Sequence, residues 1–129
     1  MSQISNAAKI LIVEPDIQLN RILQSVFTVS NRITITTYLL EDALKVAERN
    51  CLHTIVFDLE LPDGEGWKTI DRLQAAMSPE AHPQFIIIAP SNLTPDPDLN
   101  QNSYRVVPKP VNINELIRLT FRLHNDHRP

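Results

Sequence analysis

Glycine is almost missing from this chain, which carries only Gly64 and Gly66 among 129 residues. Neither a Walker P-loop nor a GxGxxG dinucleotide fingerprint can be written with that pair, so both nucleotide-binding classes are excluded. Cysteine is scarcer still, since Cys51 stands alone. It rules out an internal disulfide and a cysteine-based zinc site, favours a reducing compartment, and reads as a small buried apolar residue. No basic run is present: twelve Lys and Arg against fifteen Asp and Glu leave a formal charge of −3, which argues against direct nucleic-acid binding. The N-terminal apolar run, Ile10 to Val13, is far short of a signal-peptide core or of the roughly 20 residues that span a bilayer. A cytoplasmic protein with no membrane contact is the expectation.

What the sequence does contain is the makings of one core. At 43% hydrophobic and 21% charged it has the composition of an ordinary globular domain spanning 1–129, with 1–8 and 125–129 as frayed ends. Short apolar runs at Lys9–Val13, Ile33–Tyr38, Thr54–Phe57, Gln84–Ala89 and Arg105–Val107 alternate with helical patterns, the order of an α/β fold with a parallel sheet. The first, third and fourth runs are continuously apolar, as strands covered on both faces should be. Apolar positions recur at helical spacing in Leu19, Ile22, Leu23, Val26 and Phe27, and again in Leu40, Ala43, Leu44 and Ala47. Trp67, Ile70, Leu73 and Met77 form a third set, and Ile113, Leu116, Ile117, Thr120 and Phe121 a fourth, opened by Asn112 with Glu115 three residues on. Between the fourth and fifth strands, 91–103 holds two prolines and little apolar periodicity, so the helix due there is expected to be short or missing.

In an open parallel sheet the chemistry belongs at the carboxyl ends of the strands. Those loops are acidic here: Glu14 and Asp16 flank Pro15 after the first strand, and Asp58, Glu60, Asp63 and Glu65 follow the third. Carboxylates on neighbouring loops suit a hard cation such as Mg²⁺, and a carboxylate there can attack phosphorus. Lys109, before Pro110, can bring an ammonium to the same rim to offset phosphoryl charge. The chemistry indicated is phosphoryl transfer.

Lys9-Ile10-Leu11-Ile12-Val13-Glu14-Pro15-Asp16, then Ile55-Val56-Phe57-Asp58-Leu59-Glu60-Leu61-Pro62-Asp63-Gly64-Glu65-Gly66, then Val107-Pro108-Lys109-Pro110-Val111 resemble the receiver domain of two-component response regulators. The resemblance runs over almost the whole chain. Its most specific part is an aspartate ending an apolar strand with Leu-Pro at +3 and +4 and glycine at +8. It implies a flavodoxin-like doubly wound sheet of five parallel strands in the order 2-1-3-4-5. By the same resemblance Asp58 accepts a phosphoryl group from a sensor histidine kinase or a phosphotransfer protein, and Lys109 pairs with the phosphate. Mg²⁺ is implied as cofactor, held by Glu14, Asp16, Asp58 and the backbone of Glu60. The family's switch, a hydroxyl on the fourth strand and an aromatic on the fifth, falls on Ala89 (or Ile88), Ser91 and Tyr104. The Lys-Pro bond is often cis in that family. The module would signal through protein contacts to a downstream protein, as a phosphoacceptor and not an enzyme, with homodimerisation left open. It either acts alone through a partner or belongs to a longer regulator.

This sequence departs from the pattern in its signalling parts. Pro15 stands where a second acid is expected, Ala89 or Ile88 where a hydroxyl is expected, and Val106 where the aromatic is expected. A pseudo-receiver, a protein-interaction domain that works without phosphorylation, is therefore the alternative. Val56 to Glu60 also has a superficial likeness to the Asp-x-Asp loop of haloacid-dehalogenase-like phosphohydrolases, but that motif belongs near a chain start. Asp16 is read equally as a helix cap and as a metal contact. Asp63 and Glu65 read as solvated loop acids, Trp67 as packing, and Arg118 and Arg122 as a solvated face. The four histidines read as surface residues.

Overall fold

The computed structural model describes residues 8–28, 32–94 and 104–126, with side chains as far as 119. The order is β1 (Ala8–Val13), α1 (Ile17–Phe27), β2 (Arg32–Thr37), α2 (Leu40–Arg49), β3 (Thr54–Asp58), a 3₁₀ turn (Gly66–Lys68) running into α3 (Thr69–Ala76), β4 (Gln84–Pro90), β5 (Tyr104–Lys109) and α4 (Ile113–Asp126). All pairings are parallel and the sheet order is β2-β1-β3-β4-β5, as the resemblance implied. The segment 95–103, on which the expected short or missing helix falls, lies outside the described residues. The ends differ slightly from expectation, because Ala8 already pairs with Arg32 and α4 includes Asn125 and Asp126.

Side chains alternate across a strand, so β1, β3 and β4 build two apolar layers at once. Leu11, Val13, Ile55, Phe57, Phe85 and Ile87 face α2 and α3, where they meet Leu40, Ala43, Ile70 and Leu73. Phe57 and Phe85 pack edge-to-face there at 6.3 Å. Ile10, Ile12, Val56, Ile86 and Ile88 face the other way, against Leu23 and Phe27 of α1 and Leu116 and Leu119 of α4. Each such fully buried side chain contributes about 1.5–3 kcal/mol. Helix α4 differs from its sequence pattern: among the described side chains Leu116 and Leu119 are buried while Ile113 and Ile117 are exposed, and the expected Thr120 and Phe121 side chains lie outside the described residues. Cys51 is a correction. It is exposed in the turn after α2, and the neighbouring Leu52 is the side chain that enters the core.

Two polar side chains fix how the strands end. Asn20, buried on α1, donates from Nδ2 to the carbonyls of Glu14 and Thr37, both at 3.0 Å, so one amide ties the helix to the ends of β1 and β2. The Thr37 hydroxyl donates to the Ile12 carbonyl at 2.9 Å. Together they hold Glu14 in place.

Candidate functional site

The parity of each strand decides which residues reach the carboxyl rim on the same face. Glu14 continues the series of Ile10 and Ile12, Asp58 that of Val56, and Lys109 that of Val107, so all three share the face covered by α1 and α4. Asp58 is the last residue of β3 and is 3% exposed; Glu14, directly after β1, is 1% exposed. Lys109 ends β5, and its peptide bond to Pro110 is cis. Its Nζ lies 3.0 Å from Asp58 Oδ2 and 2.8 Å from Glu60 Oε1. Asp58 Oδ1 accepts from the Glu60 amide at 2.8 Å. An open cleft of about 380 Å³ lies over the cluster, walled by Leu19 and Ile22 of α1 and by Val111 and Ile113.

Charge in this cluster is unevenly balanced. Glu14 Oε2 accepts from the Asp16 amide at 3.0 Å, but its buried Oε1 has no hydrogen-bond partner among the described residues. Burial pushes the Glu14 carboxyl up to about 8, and Asp58 beside it adds to the rise, first by accepting a hydrogen bond from the protonated carboxyl and then as a like charge. The Asp16 amide and Lys109 pull the other way and lose. Burial alone would depress the Lys109 ammonium, yet its hydrogen bonds to Glu60 and Asp58 raise it above its ordinary value.

The remaining expectations fall out as follows. Asp16 Oδ1 accepts from the Leu19 amide at 3.0 Å and so caps α1, and the side chain also lines the cleft over Glu14 and Asp58. Ile88, not Ala89, lies opposite Asp58 in the β3–β4 register, and it is fully buried. Ala89 and Tyr104 both belong to the layer on the other face of the sheet, so neither reaches the acceptor's side. Tyr104 pairs with Phe85, five residues back along β5 from Lys109, about 16 Å at the rise of a parallel strand. Its ring packs on Trp67 at 6.2 Å. Ser91 is exposed beyond the end of β4. Val106, where the family aromatic was expected, is exposed on β5.

Two contacts were missed from the sequence. Asp63 does not stand free in solvent: its carboxylate accepts from the amides of Leu40 at 2.9 Å and Glu41 at 3.0 Å, capping α2 from a distant loop. Slight burial opposes these bonds, but with Arg72 they hold its carboxyl below the usual range. No periodicity signals such a cap, although Leu39, which offers no side-chain cap of its own before α2, hinted at a vacancy. Gly66 supplies the second, a left-handed turn at φ 59° that swings the loop into α3.

Whether the site suits a divalent cation turns on its donors. Among the described residues, no three His, Cys, Asp or Glu side chains gather into a metal-binding group. Glu14 and Asp58 nevertheless stand together with one buried oxygen unpartnered, and Mg²⁺ is often held by one or two carboxylates with waters completing its shell. The residues fit a two-carboxylate site at Glu14 and Asp58, with Asp16 lining the same cleft.

No family model matches the sequence, and no curated protein is similar to it in sequence. Solved structures are similar in fold. The receiver domain of the Francisella response regulator 1452 superposes with a TM-score of 0.73 at 19% identity, covering 94% of this chain and 99% of that one. A CheY-like response regulator receiver domain from Methylobacillus flagellatus gives 0.72 at 19% identity over 92% and 99%. The receiver domain of the hybrid histidine kinase CckA gives 0.72 at 16% identity over 90% and 98%. The chain has the flavodoxin-like fold, and within that class it has the fold of response regulator receiver domains. No helix among the described residues is long and apolar enough to cross a membrane.

Proposed function

We propose that this chain is a receiver module that accepts a phosphoryl group on Asp58 and signals through protein contacts. The observation that carries the reading is the buried carboxylate of Asp58 at the strand end with the Lys109 ammonium 3.0 Å away and the Glu14 carboxyl beside it. In the step this geometry supports, a carboxylate oxygen of Asp58 attacks the phosphorus of a donor phosphoimidazole. An O–P bond forms, the P–N bond breaks, and its electron pair stays on the imidazole nitrogen of the donor. Lys109 pairs with the phosphoryl oxygens, and the Glu60 amide holds the acceptor carboxylate in orientation. Glu14 and Asp58, with the Glu60 main chain that the receiver resemblance implies, would hold a divalent cation, which when bound would help neutralise phosphoryl charge. The donor is a sensor histidine kinase or phosphotransfer protein, the receiver of the signal is a downstream protein, and the compartment is the cytoplasm.

A pseudo-receiver that works without phosphorylation is the second reading. The observation favouring it is Ile88 opposite Asp58, which leaves no hydroxyl there to follow a phosphate. An amide NMR titration with beryllofluoride, a phosphoryl mimic, and Mg²⁺ separates the two. Saturable shifts at Glu14, Asp58 and Lys109 that disappear in Asp58→Asn are expected. No response at millimolar mimic and metal would overturn the phosphoacceptor reading and leave the constitutive one.

A further inference from the structure

We propose that Glu60 is a positioning residue that competes with an incoming phosphoryl group for Lys109 and so sets how readily Asp58 is loaded. The inference rests on the phosphoacceptor reading and adds a control to it. Lys109 Nζ has three donors, and two already point at carboxylate oxygens: Asp58 Oδ2 at 3.0 Å and Glu60 Oε1 at 2.8 Å. A phosphoryl group arriving on Asp58 brings three acceptor oxygens and about two negative charges to the same ammonium. Glu60 occupies part of the donor capacity those oxygens need, and its own negative charge opposes their approach.

The loop makes this competition hard to escape. The Glu60 amide donates to Asp58 Oδ1 at 2.8 Å, and the neighbouring Leu59 amide donates to the Ile88 carbonyl at 2.8 Å, so the backbone of residue 60 is registered to the acceptor and the sheet. Only the side chain is free to leave. It is about half exposed, and swinging it into solvent costs little beyond the ion pair, because exposed pairs are weak. Glu60 therefore acts as a graded brake and not a block.

The test is the beryllofluoride affinity of the full chain with Mg²⁺, read by amide NMR, in wild type, Glu60→Gln, Lys109→Ala and the double variant. Glu60→Gln should bind about three- to tenfold more tightly, the range expected for removing one exposed ion pair and one like charge. In the Lys109→Ala background the same change should gain clearly less, because only the like-charge repulsion remains and no ammonium is left to compete for. Equal or weaker binding by Glu60→Gln overturns the proposal. An equal gain in both backgrounds also overturns it, showing plain repulsion without competition for the lysine. If Lys109→Ala binds too weakly to measure, the ¹³Cδ shift of Glu60 decides. Movement on wild-type saturation toward its value in unliganded Lys109→Ala supports release from the lysine, and an unmoved signal refutes it. Should neither wild type nor Glu60→Gln respond to the mimic, the phosphoacceptor reading falls, and the brake with it. A response by wild type without the Glu60→Gln gain sinks only the brake.

Discussion

The two ends of the same sheet are finished in opposite ways. At the amino end, neutral hydrogen bonds close the strands: the Lys9 amide donates to His53 Nδ1, the His53 amide to the Lys9 carbonyl and the Gln84 amide to the His53 carbonyl, each at 2.9 Å. One imidazole and one backbone turn thus join β1, β3 and β4. At the carboxyl end β1 runs into Glu14, β3 ends on Asp58, and β5, one strand beyond β4, ends on Lys109, while the buried Glu14 Oε1 receives no donor from the described residues. An unsatisfied buried polar group costs about 1–3 kcal/mol, and more when charged. One rim joins its strands through neutral hydrogen bonds, and the other gathers a lysine and three carboxyl groups. The difference teaches where to look for chemistry in this molecule, and it is testable by treating the two rims alike.

The largest contrast should come from Glu14→Gln. Its carboxyl is raised from 4.5 to about 8 in the folded protein, so the native state binds the extra proton between those values and stability falls as pH rises through that window. Glutamine removes the penalty. The variant should match wild type near pH 4.5 and exceed it by on the order of 3 kcal/mol at pH 8 without added metal, measured by urea unfolding across pH. A wild-type minus variant difference that stays flat with pH would erase the contrast. At the other rim, His53→Ala leaves the Lys9 amide without its acceptor and should lose about 1–3 kcal/mol. Gain at one rim and loss at the other, in the same assay, is the signature expected. A smaller effect belongs to Asp63→Ala, which strips α2 of its borrowed cap at about 1 kcal/mol. Amide exchange should quicken in the first turn of α2, with the amino rim unaffected; protection there that survives the substitution would show that the cap is not what holds the turn.

Much of the fold was legible because local pattern and global burial agree here. The continuous apolar runs of β1, β3 and β4 fit only strands covered on both faces, and the loops after β1 and β3 announced their acids through the order of residues alone. Asp58, Lys109 and Glu14 were named from that order, and the structure brings them together. Other parts were not readable. Cys51 looked like a core residue by type, yet the turn gives the buried place to Leu52. Ala89 and Tyr104 were placed in the switch region by the receiver resemblance, but parity sends them to the opposite face. Asp63 looked solvated because a cap supplied across 23 residues of chain leaves no local trace.

The sequence by itself determined the element order, the parallel sheet and the identities of the carboxylates and the lysine, because these follow from apolar periodicity and from which residues end each strand. Only the tertiary structure decided what each charged group is worth. Asp16 became a cap, Glu60 became the second partner of Lys109, and Glu14 became a carboxyl held up to about 8. The physical reason is that a charge's energy depends on distance and desolvation, and both are properties of strands and loops brought together from far apart in the chain.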